Sequence, residues 1–180
     1  MNPLDDLEES TIQKLLVIFY DIKGFASIAR KISNPLDGFR LIEGMSNIAI
    51  DTLQASGGTL IKFIGDSALI VYPEDLLDDG VMTMLDLKQD LESYLAQNGF
   101  DSKLVFGLHF GEVAIGPFGK TPYRRLDVMG DGVQQAAIVA DGRQKSNFVV
   151  TPQLFRSLQP ETRKHFHKFT PPIVYTAENA

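Results

Sequence analysis

The chain has 180 residues, of which 44% are apolar and 22% charged, a balance that suits one soluble globular domain with an ample core. A net charge of −6 argues against a nucleic-acid partner, and the absence of cysteine excludes disulfides, thiolate zinc sites and cysteine nucleophiles. No apolar run reaches the roughly 18 residues of a membrane helix, and the acidic N-terminus has no signal-peptide core, so a cytoplasmic protein with no membrane segment is expected.

In chain order, residues 1–14 read as a short acidic arm and residues 15–180 as a single domain. Leu15–Asp21 is a strand, apolar on both faces and therefore central in a sheet. Residues 24–32 have helical spacing at Phe25, Ile28, Ala29 and Ile32. A second helix runs from Pro35 to about Ser56, capped by Asn34, burying Leu36, Phe39, Ile42, Met45, Ile48, Ala49 and Leu53, and ended by Gly57-Gly58. Residues 59–64 and 67–72 form a hairpin around Gly65-Asp66. Residues 75–97 form an amphipathic helix. Residues 103–110 and 112–116 read as a second hairpin-like pair around Gly111, with a loop to Pro122. Then come a strand at 123–128, a helix at 131–141, a strand at 148–151, a short helix to Leu158 capped by Thr151-Pro152, a helical turn at 160–166 and a last strand at 173–175. The order implies an α+β fold, a mostly antiparallel sheet with helices mainly on one face.

Two stretches carry the chemistry. Phe19-Tyr20-Asp21-Ile22-Lys23-Gly24-Phe25 and Lys62-Phe63-Ile64-Gly65-Asp66-Ser67 each place a carboxylate where an apolar strand meets a glycine. A lone Asp beside Gly is most often a turn cap. Two such sites together suit hard divalent cations and, with a glycine turn, a triphosphate.

With these blocks the chain resembles the catalytic domain of class III nucleotidyl cyclases, the adenylate and guanylate cyclases. The resemblance covers roughly residues 15–176. It rests on Phe19-x-Asp21-Ile22-x-Gly24-Phe25, Lys62-x-x-Gly65-Asp66, Gly107-x-His109-x-Gly111 with Gly116 and Gly119, and Asp127-Val128-x-Gly130-x-x-Val133-x-x-Ala136-Ala137. It implies a ferredoxin-like βαββαβ core and cyclisation of a nucleoside triphosphate, with ATP as the first expectation. It implies Asp21, Asp66 and the carbonyl of Ile22 as ligands of two Mg²⁺ or Mn²⁺ ions per site. The N–H groups of Lys23, Gly24 and Phe25 would hold phosphates, and Lys62 and Asp127 would read the adenine edge. Guanylate cyclases resemble Glu and Cys at these last two places. The family's sites lie between two subunits, so a homodimer is implied. His109, in an apolar strand, reads as structural.

One helix departs from the pattern. Gln134 and Ile138 stand where the family has an Asn that positions the ribose and an Arg that stabilises charge on the phosphate. Gln134 keeps the amide; Ile138 cannot replace a cation. Arg124, Arg125 or Arg143 could supply the charge instead, and that is the reading expected here. Two alternatives stand beside it. The domain could act on a pyrimidine nucleotide, as cyclases of bacterial defence that resemble it do. It could also be a weak or inactive homologue that binds nucleotide or a partner protein, its dimer surface being the function.

Overall fold

A computed structural model describes Leu4, residues 7–140 and residues 146–177. The elements are β1 (Thr11–Ile22), α1 (Phe25–Ala29), α2 (Pro35–Ser56), β2 (Thr59–Ile64), β3 (Ser67–Pro73), α3 (Leu77–Gln97), β4 (Leu104–Phe118), β5 (Arg125–Met129), α4 (Asp131–Ala140), β6 (Phe148–Val150), α5 (Pro152–Ser157), α6 (Pro160–Arg163), β7 (Phe166–Phe169) and β8 (Val174–Ala177). Among the described residues eight strands form one sheet, in the order β2-β3-β1-β4-β6-β8-β7, with β5 paired to β4. Only β4 and β6 are parallel; the other recorded pairs are antiparallel. The first part of the chain is the expected β1-α2-β2-β3-α3-β4 core, with strand order β2-β3-β1-β4.

The sheet is covered on both faces, which is why β1 is a continuous apolar run. Leu16, Ile18, Tyr20 and Ile22 pack with α2, α3 and α5 through Leu41, Met45, Leu87, Leu91 and Leu154. Leu15 and Val17 face the other way, with Leu69 and Val71 of β3 and Ala136 of α4. Helix α4 lies very close to the sheet. A Cβ on Gly107 of β4 would overlap the Ala136 carbonyl oxygen and the Ala140 amide, so no larger residue fits there without lifting α4. No helix of the described residues is long and apolar enough to cross a membrane.

Several boundaries differ from the sequence expectations. β1 starts at Thr11, because Thr11 to Lys14 pair with Glu112 to Ile115 of β4. β4 is one strand of 15 residues and not a hairpin around Gly111; both its halves find the single long partner β1. Helix α1 is short, ending at Ala29. Helix α3 begins at Leu77 after a 3₁₀ turn at Glu74–Leu76. Residues 166–169 form β7, antiparallel to β8. Leu36 and Phe39, expected inside, are exposed. The buried line of α2 is Leu41, Met45, Ala49 and Leu53, and its first turn projects past that line. The end of the predicted 131–141 helix lies outside the described residues. The caps at Asn34 and Thr151 form as expected, each side chain accepting from a backbone N–H two or three residues on.

Candidate active site

Strand alternation sets the side on which the site is built. Asp21 is in phase with Leu15 and Val17, so it points to the α4 side of the sheet, and Ser67 is in phase with Leu69 and Val71. The two meet across the β1–β3 ladder: Ser67 Oγ donates to Asp21 Oδ1 at 2.7 Å. Asp66 sits in the β2–β3 turn beside Gly65, whose φ of 64° lies in the left-handed region. Burial of Asp66, reinforced by the neighbouring Asp21 charge, raises its carboxyl to about 6, against opposing hydrogen bonds from its own backbone N–H and that of Ile22. The Asp21 charge that opposes ionisation of Asp66 is one that a cation held between the two would offset.

The backbone after Asp21 is also defined. Lys23 N–H donates to the Lys103 carbonyl at 2.8 Å. That amide, expected among the phosphate donors, is therefore committed within the sheet, leaving Gly24 and Phe25 at the start of α1. Gly24 has a φ of 73° and turns the chain from β1 into α1. A Cβ there would meet nothing within 4 Å, so the conformation and not crowding is what favours glycine.

Lys62 and Asp127 come together although 65 residues separate them. Lys62 Nζ lies 2.8 Å from both carboxylate oxygens of Asp127. Their side chains are 29% and 5% exposed. The Val128 N–H adds a third bond, at 2.8 Å to Asp127 Oδ1. A register shift between Leu60 and Lys62 brings Lys62 opposite Leu69, on the α4 side of the sheet. That bulge had no sequence signal.

The remaining predicted residues are spread around this face. Gln134 and Ile138 lie on α4, and Ile138 is 59% exposed. Arg124 donates to the Glu8 carbonyl at 3.1 Å, and with Arg125 lines a surface cavity of about 590 Å³ beside Leu7 and Pro117. Arg143 lies outside the described residues. His109 is buried, its Nδ1 3.1 Å from Thr151 Oγ1, and burial holds its pKa below the ordinary imidazole value.

The donor set suits a hard divalent cation. Among the described residues no group of three or more His, Cys, Asp or Glu side chains comes together, so Asp21 and Asp66 offer two carboxylates. Mg²⁺ is commonly held by one or two carboxylates, with substrate phosphates and water completing its shell. In an antiparallel ladder the backbone groups of successive residues face opposite neighbours. With the Lys23 N–H on β4, the Ile22 carbonyl is on the side of Asp66.

Comparison with known proteins follows the same lines. A family model described as the adenylate and guanylate cyclase catalytic domain matches residues 7–172. An adenylate cyclase of Anabaena cylindrica is 22% identical over 165 residues, covering 85% of this chain and 32% of that protein. A solved bacterial light-regulated adenylyl cyclase is similar at a TM-score of 0.80 and 21% identity, over 94% of this chain and 53% of its own. A class III adenylyl cyclase-like ATP-binding protein from Pseudomonas aeruginosa is similar at 0.75 and 18%, over 92% of this chain and 40% of its own. This chain thus spans about a third of the curated relative's length and about half of the light-regulated protein's. At these identities the solved structures speak to the fold.

Proposed function

Because the chain belongs to the family of adenylate and guanylate cyclase catalytic domains, we propose that it converts a nucleoside triphosphate, first of all ATP, to its 3′,5′-cyclic monophosphate and pyrophosphate. The observation that carries this reading is the Lys62–Asp127 pair, whose Lys62 lies opposite Leu69, on the side of the sheet that strand alternation gives Asp21.

In this reading the site is completed by a second copy of the chain, one subunit contributing Asp21, Ile22 and Asp66 and the other Lys62, Asp127 and Gln134. Mg²⁺ or Mn²⁺ held by Asp21, Asp66 and the Ile22 carbonyl would neutralise the triphosphate and lower the pKa of the ribose 3′-hydroxyl. The N–H groups of Gly24 and Phe25 orient the phosphates. The 3′-hydroxyl releases its proton to solvent, its oxygen bonds to the α-phosphorus as the bond from that phosphorus to the bridging oxygen breaks, and pyrophosphate leaves. Lys62 donates to a ring nitrogen and Asp127 accepts from an exocyclic amine. Adenine offers that acceptor and amine side by side, and so does cytosine. Guanine and uracil present the reverse pattern. The pair thus selects ATP, and among pyrimidines CTP over UTP.

A second reading is favoured by Ile138, an exposed apolar residue where the family has a cation. In it the domain binds nucleotide and turns it over weakly or not at all. The deciding experiment incubates purified protein with Mn²⁺ and each of ATP, GTP, CTP and UTP, with products identified by mass. Cyclic AMP formed by wild type and not by Asp21→Asn is expected. Nucleotide binding without any cyclic product supports the second reading. Cyclic GMP or cyclic UMP as the main product sinks the base assignment.

A further inference from the structure

The two residues just before β4 grip the backbone that follows Asp21. Lys23 donates its N–H to the Lys103 carbonyl, and the Lys23 carbonyl accepts from Ser102 Oγ, both at 2.8 Å. The Lys23 N–H and the Ile22 carbonyl belong to one planar trans peptide, so they point in opposite directions. Holding that N–H on Lys103 therefore aims the Ile22 carbonyl toward Asp66. The Ile22 N–H faces the same way, where it favours the ionised form of Asp66.

The gripping segment is itself held by α3. Glu92, whose side chain is 13% exposed, accepts from the Leu104 N–H at 2.9 Å and from Lys103 Nζ at 3.0 Å. Its other partner is Lys88 Nζ at 2.7 Å, and the Lys88 side chain is 1% exposed. A buried ion pair is weak evidence for stability, since apolar residues of similar volume often serve as well. Here the carboxylate does something an apolar residue cannot: it fixes the main chain and side chain of residues 103–104, immediately behind the peptide that aims Ile22.

We propose that Glu92 and Ser102 are positioning residues for the cation site, orienting the Ile22 carbonyl through Lys103 and Lys23. The inference rests on reading Asp21, Ile22 and Asp66 as the cation ligands. Neither Glu92 nor Ser102 touches the nucleotide or the cation. Residues that orient metal ligands from behind commonly alter affinity by about 10- to 100-fold when changed.

The test titrates Mn²⁺ alone into the full chain, reading the free ion by electron paramagnetic resonance, together with hydrogen exchange at the Lys23 amide. The variants are Ser102→Ala, Glu92→Gln, Asp21→Asn and, as an exposed control on α3, Asp90→Asn. Ser102→Ala is expected to weaken Mn²⁺ binding about fivefold, the size of one neutral hydrogen bond, and Glu92→Gln about tenfold. Both should speed exchange at Lys23, and Asp90→Asn should change neither reading. Ser102→Ala loses one hydrogen bond of a half-buried side chain, so it keeps the test open even if Glu92→Gln folds poorly. Wild-type Mn²⁺ affinity in Ser102→Ala, with binding abolished by Asp21→Asn, overturns the positioning role and spares the cation site. Full binding by Asp21→Asn, or none by wild type, overturns the cation site and this inference with it.

Discussion

Lys62 and Asp127 form a bidentate ion pair, Nζ lying 2.8 Å from each carboxylate oxygen, between β2 and β5. Among the described residues no other side chain hydrogen-bonds to Asp127, whose carboxylate is almost completely buried. Removing the cation alone leaves that charge with the Val128 N–H. Lys62→Met is expected to cost about 3 kcal/mol of stability, as breaking a buried pair from one side does. The double variant Lys62→Met with Asp127→Leu should recover most of it, and neither should cyclise ATP. Denaturant midpoints and turnover measured together check this. A double variant no more stable than the single one counts against the pair as the cause.

A site split between two copies makes a prediction about mixtures. On the proposed reading Asp66→Ala subunits would lack a cation ligand and Asp127→Ala subunits a base contact, so each homodimer should be inactive. Mixed and allowed to exchange, they should form heterodimers with one intact site and one doubly damaged site, an isologous contact supplying both halves. Recovery near half of the wild-type turnover per heterodimer is expected. Absence of recovery in dimers shown to exchange would remove the shared site.

Asp66 sets a pH dependence whose sign can be worked out. The folded protein without cation keeps a proton on Asp66 up to about pH 6, through burial first and the Asp21 charge second. The unfolded chain releases it near the ordinary value of about 3.9. Between the two the folded state binds more protons, so this contribution is complete below about pH 4 and lost as pH rises through 6. Asp66→Asn should flatten that part of the melting-temperature profile. Mn²⁺, which needs the carboxylate, should raise the melting temperature more at pH 7 than at pH 5. A larger Mn²⁺ effect at pH 5 is the contrary result.

In the proposed reaction another cation stands in for the family's Arg, whose place Ile138 holds. Arg125 is in phase with Asp127 along β5, so both point to the same side. Arg124 is tied to the Glu8 carbonyl. Arg125→Ala is expected to lower kcat on the order of 10²-fold, the scale for losing one transition-state donor, with Arg124→Ala near wild type. Ile138→Arg, at an exposed position, should fold normally and give no gain in turnover. A large gain from Ile138→Arg with no loss from Arg125→Ala would show that no substitute cation acts.

Much of the fold was legible because its signals are local. Asn34-Pro35 and Thr151-Pro152 start helices through their own side chains and ring geometry, and Gly57 ends α2 with a φ of 80°. The apolar run of β1 implies a central strand, and β1 lies between β3 and β4. Read locally, β4 divides into two strands, because Gly111 is a turn residue by type. Only its pairing with all of β1, from Thr11 to Ile22, makes it a single strand. Leu36 and Phe39 have the right residue type for a core, but burial depends on how far the partner surface extends, which no helical period encodes. Lys88 shows the converse: a lysine within the leucine stripe of α3, buried because Glu92 lies one turn away. Its spacing to Glu92 was the available signal.

By itself the sequence determined which residues are candidates for the proposed chemistry: Asp21 and Asp66 beside glycine turns, Lys62 and Asp127 in their motifs, and Ile138 where the family has a cation. Those follow from the order of residues along the chain. What only the tertiary structure decided is how they meet. The register of β1 on β4 carries the Lys23 amide onto the Lys103 carbonyl and leaves the Ile22 carbonyl on the Asp66 side, and the bulge in β2 brings Lys62 onto Asp127. Hydrogen bonds between strands depend on register, and a shift of one residue reverses every side chain and every backbone group. That information exists only once distant segments have been brought side by side.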